Sequence, residues 1–233
     1  MMNRGEGACL VCGEQLIYFE KAKKMECSIC GRKLASYASC EDNHFVCDKC
    51  HAEKGIQYVM DYCLQSHSRN PIQILQELME YPYIYMHGPE HHIMVGAALI
   101  TSFHNSGGEV ELKAALDEMK ARGSQYPGGT CGFWGACGAA VSSGMYISII
   151  TQATPLSVKP WRWANEMTSR ALAKIAELGG PRCCKRNSFA AAQEAATFTK
   201  ENLGIIMELD EDIQCDFFKE NRECRKKNCP YYG

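Results

Sequence analysis

Seven cysteines and one histidine follow one another at metal-ligand spacing between residues 9 and 51. Six of these cysteines form Cys-x-x-Cys pairs, and glycine directly follows two of the pairs, where it lets the turn point N–H groups at the thiolates. Large apolar residues are too few here to bury a core, so we expect metal binding to supply the folding energy. Eight ligands predict two tetrahedral zinc ions, held by Cys9, Cys12, Cys27, Cys30, Cys40, His44, Cys47 and Cys50.

Two partitions of the eight ligands are possible. A sequential partition assigns the first four ligands to one ion and the last four to the other, whereas an interleaved one joins the first pair with the third and the second with the fourth. The spacing from Cys27 to Cys50 resembles the first six ligands of a RING-type cross-brace, with Cys9 and Cys12 replacing its missing last pair from upstream. We favour the interleaved partition, in a closed structural module that docks a protein partner.

The whole chain contains fifteen cysteines among 233 residues, and its first residues lack the apolar region of a signal peptide. A cysteine-rich chain without an export signal keeps its thiols reduced, so we expect a cytoplasmic protein whose cysteines bind metal. The formal net charge of −2 argues against nucleic-acid binding through bulk charge. We expect no membrane span, because a span needs about 18 consecutive apolar residues.

From residue 55 onward, apolar residues recur at helical spacing without an alternating strand pattern. The sequence therefore predicts a mainly α fold, with a helical bundle body over residues 55–233 and a small zinc-binding module over residues 1–54. We expect the segment from Cys137 to Ala153 to be the central helix, because its small residues let neighbours approach closely. The other predicted helices cover residues 56–66, 72–80, 89–105, 112–119, 164–178 and 188–203.

A glycine-rich stretch from Gly128 to Ala140 leads into the expected central helix and contains two cysteines. Glycines permit positive φ and close backbone approach, and a turn that feeds a helix N-terminus presents free N–H groups. We predict a loop that binds a cofactor or an anion, although a tight turn packed on a small-residue helix fits the stretch equally well. The candidate cofactor-binding residues are Gly129, Cys131, Gly132, Gly135, Cys137 and Gly138.

Three histidines and a glutamate occur within six residues at the start of the third predicted helix. Imidazole binds transition metals and carries protons near neutral pH. The order differs from His-Glu-x-x-His, and helix capping with core hydrogen bonding is the alternative. We predict His87 as a metal ligand and Glu90, His91 and His92 as catalytic residues.

Adjacent cysteines, Cys183 and Cys184, lie among basic residues just before the last predicted helix. Positive neighbours and a helix start should lower the thiol pKa values and favour thiolates. The C-terminal tail adds three cysteines and ends them with Cys-Pro, a common ending of iron–sulfur ligand runs. We predict an iron–sulfur cluster beside the glycine-rich stretch, and Arg182 and Lys185 as catalytic residues that line a pocket for a small or anionic substrate. Its ligands are a subset of Cys131, Cys137, Cys183, Cys184, Cys215, Cys224 and Cys229.

Three long motifs resemble an uncharacterised family of anaerobic bacteria and methanogenic archaea. They are Met-His-Gly-Pro-Glu-His-His, Gly-Gly-Thr-Cys-Gly-Phe-Trp-Gly-Ala-Cys-Gly-Ala-Ala and Gly-Gly-Pro-Arg-Cys-Cys-Lys-Arg. Some members of that family carry the name SAM-dependent methyltransferase, but this chain has no strand followed by Gly-x-Gly-x-Gly. Cys137-Gly138-Ala139 and the tail are also similar to small redox proteins with a Cys-Gly-Ala-x-x-Gly core, which implies a cluster on a helical scaffold.

Three functions stay open at this point. We favour an iron–sulfur protein with redox, sulfur-transfer or cofactor-maturation chemistry. A zinc-only adaptor would use the module to dock a partner and keep the thiols of the body as structural residues. A mononuclear metal-dependent hydrolase or transferase would use the histidine segment.

Overall fold

The computed structural model of the protein describes residues 9–233 and contains a two-stranded sheet followed by eight helices. The strands are β1 (Ile17–Glu26) and β2 (Lys33–Ser39). The helices are α1 (Asp48–Gln65), α2 (Pro71–Glu80), α3 (His91–Asn105), α4 (Leu112–Gly123), α5 (Thr130–Phe133), α6 (Gly138–Ile150), α7 (Lys159–Leu178) and α8 (Cys184–Leu203). The predicted mainly α fold with a small N-terminal module is confirmed. Over the same residues, no helix combines the length and apolar character that a membrane crossing needs.

The N-terminal module is built on the β1–β2 hairpin. The strands pair antiparallel, with Ile17 opposite Ser39 at the open end, and β1 carries a bulge. Residues 27–30 form the turn at the tip, and Gly31 follows them with a φ of 69°, which glycine adopts without strain. The hairpin therefore carries one cysteine pair at its tip and brings the segments before β1 and after β2 together at its open end.

The central helix of the body is α3. Every residue from His91 to Phe103 is buried, and α1, α2, α4, α6 and α8 all pack against this helix. The helix expected to be central, α6, lies beside it and also contacts α4, α7 and α8. Close packing is possible because Gly96 has no side chain, and its N–H donates to the Ser142 hydroxyl at 2.9 Å. Residues 93–100 are uninterrupted by polar side chains, so α3 has no face suited to solvent.

Helices α1 and α8 begin earlier than predicted, and both early starts affect the candidate site. Helix α1 begins at Asp48, inside the module, and continues without a break across the predicted boundary at residue 54. Helix α8 begins at Cys184, and Cys183 is its N-cap, with a sulfur that accepts the N–H of Arg186 at 3.5 Å. The C-terminal segment returns to α8, where the rings of Tyr231 and Phe189 lie 5.6 Å apart.

Candidate metal centres and the cavity between module and body

The module gathers its eight predicted ligands into two sets of four. The first set is Cys9, Cys12, Cys40 and His44, and the second set is Cys27, Cys30, Cys47 and Cys50. Within each set, all ligand atoms lie within 4.8 Å of one another. The first pair thus joins the third and the second joins the fourth, which is the interleaved partition. Each set could hold a metal ion.

The ligand spacing fits a single tetrahedral ion in each set. Metal–sulfur bonds of about 2.3 Å separate two sulfur ligands by about 3.8 Å. The sulfurs of Cys12 and Cys40 are 3.7 Å apart, and those of Cys30 and Cys47 are 3.8 Å apart. The Nδ1 atom of His44 lies 3.4 Å from the Cys40 sulfur, so this histidine completes its set.

N–H groups are directed at the module sulfurs of Cys9, Cys30 and Cys47. The backbone N–H of Val11 donates to the Cys9 sulfur at 3.4 Å. The Arg32 guanidinium lies 3.4 Å from the Cys30 sulfur and 3.6 Å from the Cys47 sulfur, and its hydrogen bond lowers the pKa of Cys30 to about 6. Because thiolates are the metal-binding form of cysteine, these contacts prepare the module for a cation.

Direct contacts fix the module against the body. Asp48, which directly follows the ligand Cys47, accepts the N–H of Gly128 at 2.8 Å. The rings of Tyr37, on β2, and Phe133, on α5, lie 4.7 Å apart. The module therefore holds the glycine-rich stretch at two points.

His51 connects the second ligand set to the start of α3. Its Nδ1 lies 3.4 Å from Oε2 of Glu90, and its ring meets the Tyr85 ring edge-on at 4.6 Å. Glu90 is fully buried, and its other oxygen accepts the N–H of Tyr85 at 3.1 Å. Burial raises the pKa of Glu90, but the neighbouring imidazole of His51 outweighs burial, and the pKa falls to about 2. No local sequence pattern marks His51, because its partner lies in a distant segment.

A cavity of about 630 Å³ lies between the module and the body. The hairpin and the ligand loops form one wall, and the segments before α3, α5 and α8 form the other. Body residues on the wall include His87, His92, Cys131, Arg182 and Cys184. A cavity of this size is typical of small-molecule sites.

The three predicted histidines are all partly or fully buried, but they have different surroundings. His91 and His92 each direct Nδ1 at a backbone carbonyl, at 3.2 and 3.0 Å. His87 lines the cavity, and its Nε2 lies 3.6 Å from a carboxylate oxygen of Glu223, although neither ring nitrogen forms a hydrogen bond with residues 9–233. Burial and the nearby charge of Arg182 lower the pKa of His87 to about 4, so the imidazole is neutral at pH 7. A neutral imidazole is the form that binds a metal or accepts a proton.

The predicted catalytic residues divide between the wall and the interior. His92 and Arg182 line the cavity, and Arg182 also donates to the hydroxyl of Tyr18 on the hairpin. Glu90, His91 and Lys185 are buried away from the wall, and Lys185 donates to a backbone carbonyl at 3.3 Å. Within the described part of the chain, only the two module sets bring three or more ligand atoms within 4.8 Å. The histidine segment therefore does not have the spacing of a single-ion site.

Three thiols from two distant segments lie at or beside the body wall of the cavity. Cys131 and Cys184 line it, and Cys137 lies beside them, 3.4 Å from the side-chain amide of Asn187. Burial and a charge on Cys137 raise the pKa of Cys131. The expectation that basic neighbours favour a thiolate at Cys184 is wrong, because burial raises its pKa to about 12 despite Arg182. Protons therefore occupy the thiols of Cys131 and Cys184 near neutral pH.

Cys183 belongs to a second group of thiols. Together with Cys215, Cys224 and Cys229 it lines a separate cavity of about 20 Å³. The seven body thiols predicted as candidate ligands are thus distributed over two places, three at the large cavity and four at the small one. All fifteen cysteines of the chain are free thiols.

The glycines of the predicted cofactor loop have local structural reasons. Gly129 and Gly135 adopt φ values of 82° and 66°, which other residues rarely adopt. A side chain at Gly138 would overlap the ring of His92, whereas the space beside Gly132 is open. Contact between these glycines and a cofactor therefore stays a prediction.

Comparison with known proteins identifies a family. No curated protein and no solved structure matches the chain. A profile described as "Family of unknown function (DUF5714)" matches residues 59–232, which include the three thiols at the large cavity and the four at the small one. The chain therefore belongs to the DUF5714 family of unknown function.

Proposed function

We propose that the protein binds a small anionic molecule in the large cavity, at an iron–sulfur cluster held by Cys131, Cys137 and Cys184, for redox, sulfur-transfer or cofactor-maturation chemistry. The observation that carries the proposal is the position of Cys131 and Cys184 at the wall of one cavity, with Cys137 beside them and the imidazole of His87 on the same wall. Thiols from separate segments that converge in this way are the usual ligands of such clusters.

The number and spacing of the thiols favour a cluster with an open position. A closed iron–sulfur cluster takes four cysteine ligands, so three thiols leave one position for a bound molecule. The three sulfurs lack the single-ion spacing of the module sets, and the cavity of about 630 Å³ offers room for a larger group. When bound, the cluster would supply electron transfer and a Lewis-acidic iron.

The cavity wall provides a cation for an anionic molecule. The guanidinium of Arg182 lies over the ring of Tyr18, with 5.2 Å between the guanidinium carbon and the ring centroid. A planar guanidinium held in this way binds carboxylate or phosphate oxygens through paired hydrogen bonds. The neutral His87 on the same wall can accept a proton from the bound molecule.

We assign zinc to both ligand sets of the module and a reducing, cytoplasmic environment to the protein. Closed four-ligand sites with cysteine and histidine are typical of structural zinc, which does no chemistry itself. Its task here would be to hold the hairpin over the cavity and keep water out. Fifteen free thiols suit a compartment that keeps cysteines reduced.

Metal analysis of the full chain after anaerobic purification tests the proposal. We expect iron and acid-labile sulfide in the unchanged protein and their loss in Cys131→Ser, whereas Cys63→Ala, a buried cysteine of the helical core, should keep both. Added cyanide should change the electron paramagnetic resonance spectrum of the reduced protein, because an open iron position can take an outside ligand. A colourless protein without iron or sulfide, even after reconstitution, would refute the cluster.

A second candidate function is protein docking by the module. Val11 and Ile29 occupy the same position in two Cys-x-x-Cys turns, and their exposed fractions are 48% and 50%. Exposed apolar residues on a rigid metal turn are suited to contact a partner. If docking is the function, a partner captured by the unchanged chain should be lost from Ile29→Asp and kept by Cys131→Ser.

A further inference from the structure

We propose that Cys183, Cys215, Cys224 and Cys229 form a further metal centre, a closed four-thiolate site for one zinc ion that fastens the C-terminal segment to the start of α8. These four side chains surround a cavity of about 20 Å³, next to Asn221 and Arg186. That volume holds about one water-sized particle, so the space suits a single ion and excludes a substrate.

Two of the sulfurs in this group, those of Cys183 and Cys224, accept N–H hydrogen bonds. Cys183 accepts from the backbone N–H of Arg186 and from the side-chain amide of Asn221, both at 3.5 Å. Cys224 accepts the backbone N–H of Lys226 at 3.3 Å, which repeats the two-residue step from Cys9 to Val11 in the module. Burial raises the pKa of Cys183, and the donors directed at its sulfur act in the opposite direction, toward the thiolate that binds metal.

A buried cation also indicates that negative charge belongs here. Arg186 is 3% exposed, and its guanidinium donates to the carbonyls of Gly179 and Pro181 at 2.8 and 3.0 Å and to Asn187 at 3.1 Å. It forms no ion pair with any carboxylate of residues 9–233. A buried charge without an opposite charge is costly. Four thiolates around one divalent ion carry a net negative charge, which would compensate the guanidinium.

The attachment of the C-terminal segment gives the site a structural purpose. Cys183 caps α8, while the other three cysteines lie in the segment after Gly204. This segment contains only two 3₁₀ helices, Asp216–Lys219 and Lys226–Asn228, and its backbone pairs with itself where the N–H of Cys215 donates to Tyr231 at 2.8 Å. The four sulfurs lack the close spacing of the module sets. Metal binding should therefore draw the segment closer to α8.

Zinc and iron contents of the full chain, purified without oxygen, test this centre separately from the cavity. We expect Cys224→Ser to lose one zinc ion per chain and to keep its iron, whereas Cys131→Ser should lose iron alone. Cys63→Ala should lose neither. Zinc content that is equal in Cys224→Ser, Cys63→Ala and the unchanged protein would overturn the proposal, and so would loss of iron with sulfide from Cys224→Ser.

Arg186→Gln provides a variant that keeps all four thiols. Removing an outer partner of a metal site commonly weakens affinity about 10- to 100-fold, so chelator competition should show one zinc ion leaving more readily. Zinc added back to the stripped chain should protect residues 204–233 from limited proteolysis. Unchanged zinc affinity in Arg186→Gln together with unchanged proteolysis would contradict a metal centre at this place.

Discussion

Replacing Gly138 by alanine should disrupt the start of α6. The added methyl would overlap the ring of His92. The His92 ring cannot simply move away, because its Nδ1 lies 3.0 Å from the Tyr126 carbonyl. The ring of Tyr126 also meets the His92 ring edge-on, with 5.3 Å between their centroids. Overpacking of this kind costs about 1–3 kcal/mol, and the helix preference of alanine returns about 0.5–1 kcal/mol. We expect a net loss of up to about 2.5 kcal/mol, which lowers the melting temperature of a chain of this length by up to about 10 °C.

Gly132→Ala is the matched control in the same loop. The space beside Gly132 is open, so alanine there should leave the melting temperature unchanged or raise it slightly. Both variants can be compared by thermal unfolding of the full chain, followed by circular dichroism. Because Cys137 directly precedes Gly138, the Gly138→Ala variant should also bind less iron than Gly132→Ala. Equal melting temperatures for the two variants would refute the close approach of α6 to His92.

Three further predictions concern the ligand sets and the buried charges. Mass spectrometry should show that the double variant Cys9→Ser and Cys40→Ser lacks one module metal ion, and that Cys9→Ser and Cys27→Ser lacks both. The reverse result would indicate the sequential partition. The pKa of His87 is about 4 in the folded chain, whereas its ordinary value is 6.5. As the pH falls from 6.5 to 4, His87 therefore becomes protonated in the unfolded chain but not in the folded one. Stability should therefore fall by up to about 3 kcal/mol on acidification, and His87→Gln should reduce this dependence in urea unfolding; an unchanged dependence would contradict the buried neutral imidazole. Glu90→Gln should cost about 1–3 kcal/mol in urea unfolding at pH 7, since a buried carboxylate loses its charge beside His51, and an unaltered midpoint would contradict that pairing.

Short-range patterns carried most of what the sequence could predict. Apolar periodicity located the long helices, and Cys-x-x-Cys spacing located the module ligands, because both depend on neighbouring residues. Periodicity could not show that α3 is more central than α6, since burial depends on which helices surround a segment. It also could not show the contact between His51 and Glu90, which depends on the path of the chain between them.

The same limit of short-range patterns applies to two adjacent cysteines that belong to different thiol groups of the body. Cys183 and Cys184 look alike in the sequence, and basic neighbours suggested a low pKa for both. In the structure, burial raises both pKa values instead. Neighbouring residues at a helix start diverge by about 100°, so the two side chains reach different cavities. Their environments could not be assigned before the positions of the glycine-rich stretch and the tail were known.

Because Cys183 and Cys184 share a peptide bond, order in one thiol group also depends on order in the other. Whatever immobilises Cys183 orders the first turn of α8, and that turn is the backbone that presents Cys184 to the large cavity. A metal ion bound by Cys183 and the three C-terminal cysteines would then fix the position of Cys184 at the large cavity. Without that ion, Cys184 would be less well ordered. The order in which the metals are inserted should consequently decide how efficiently the protein matures.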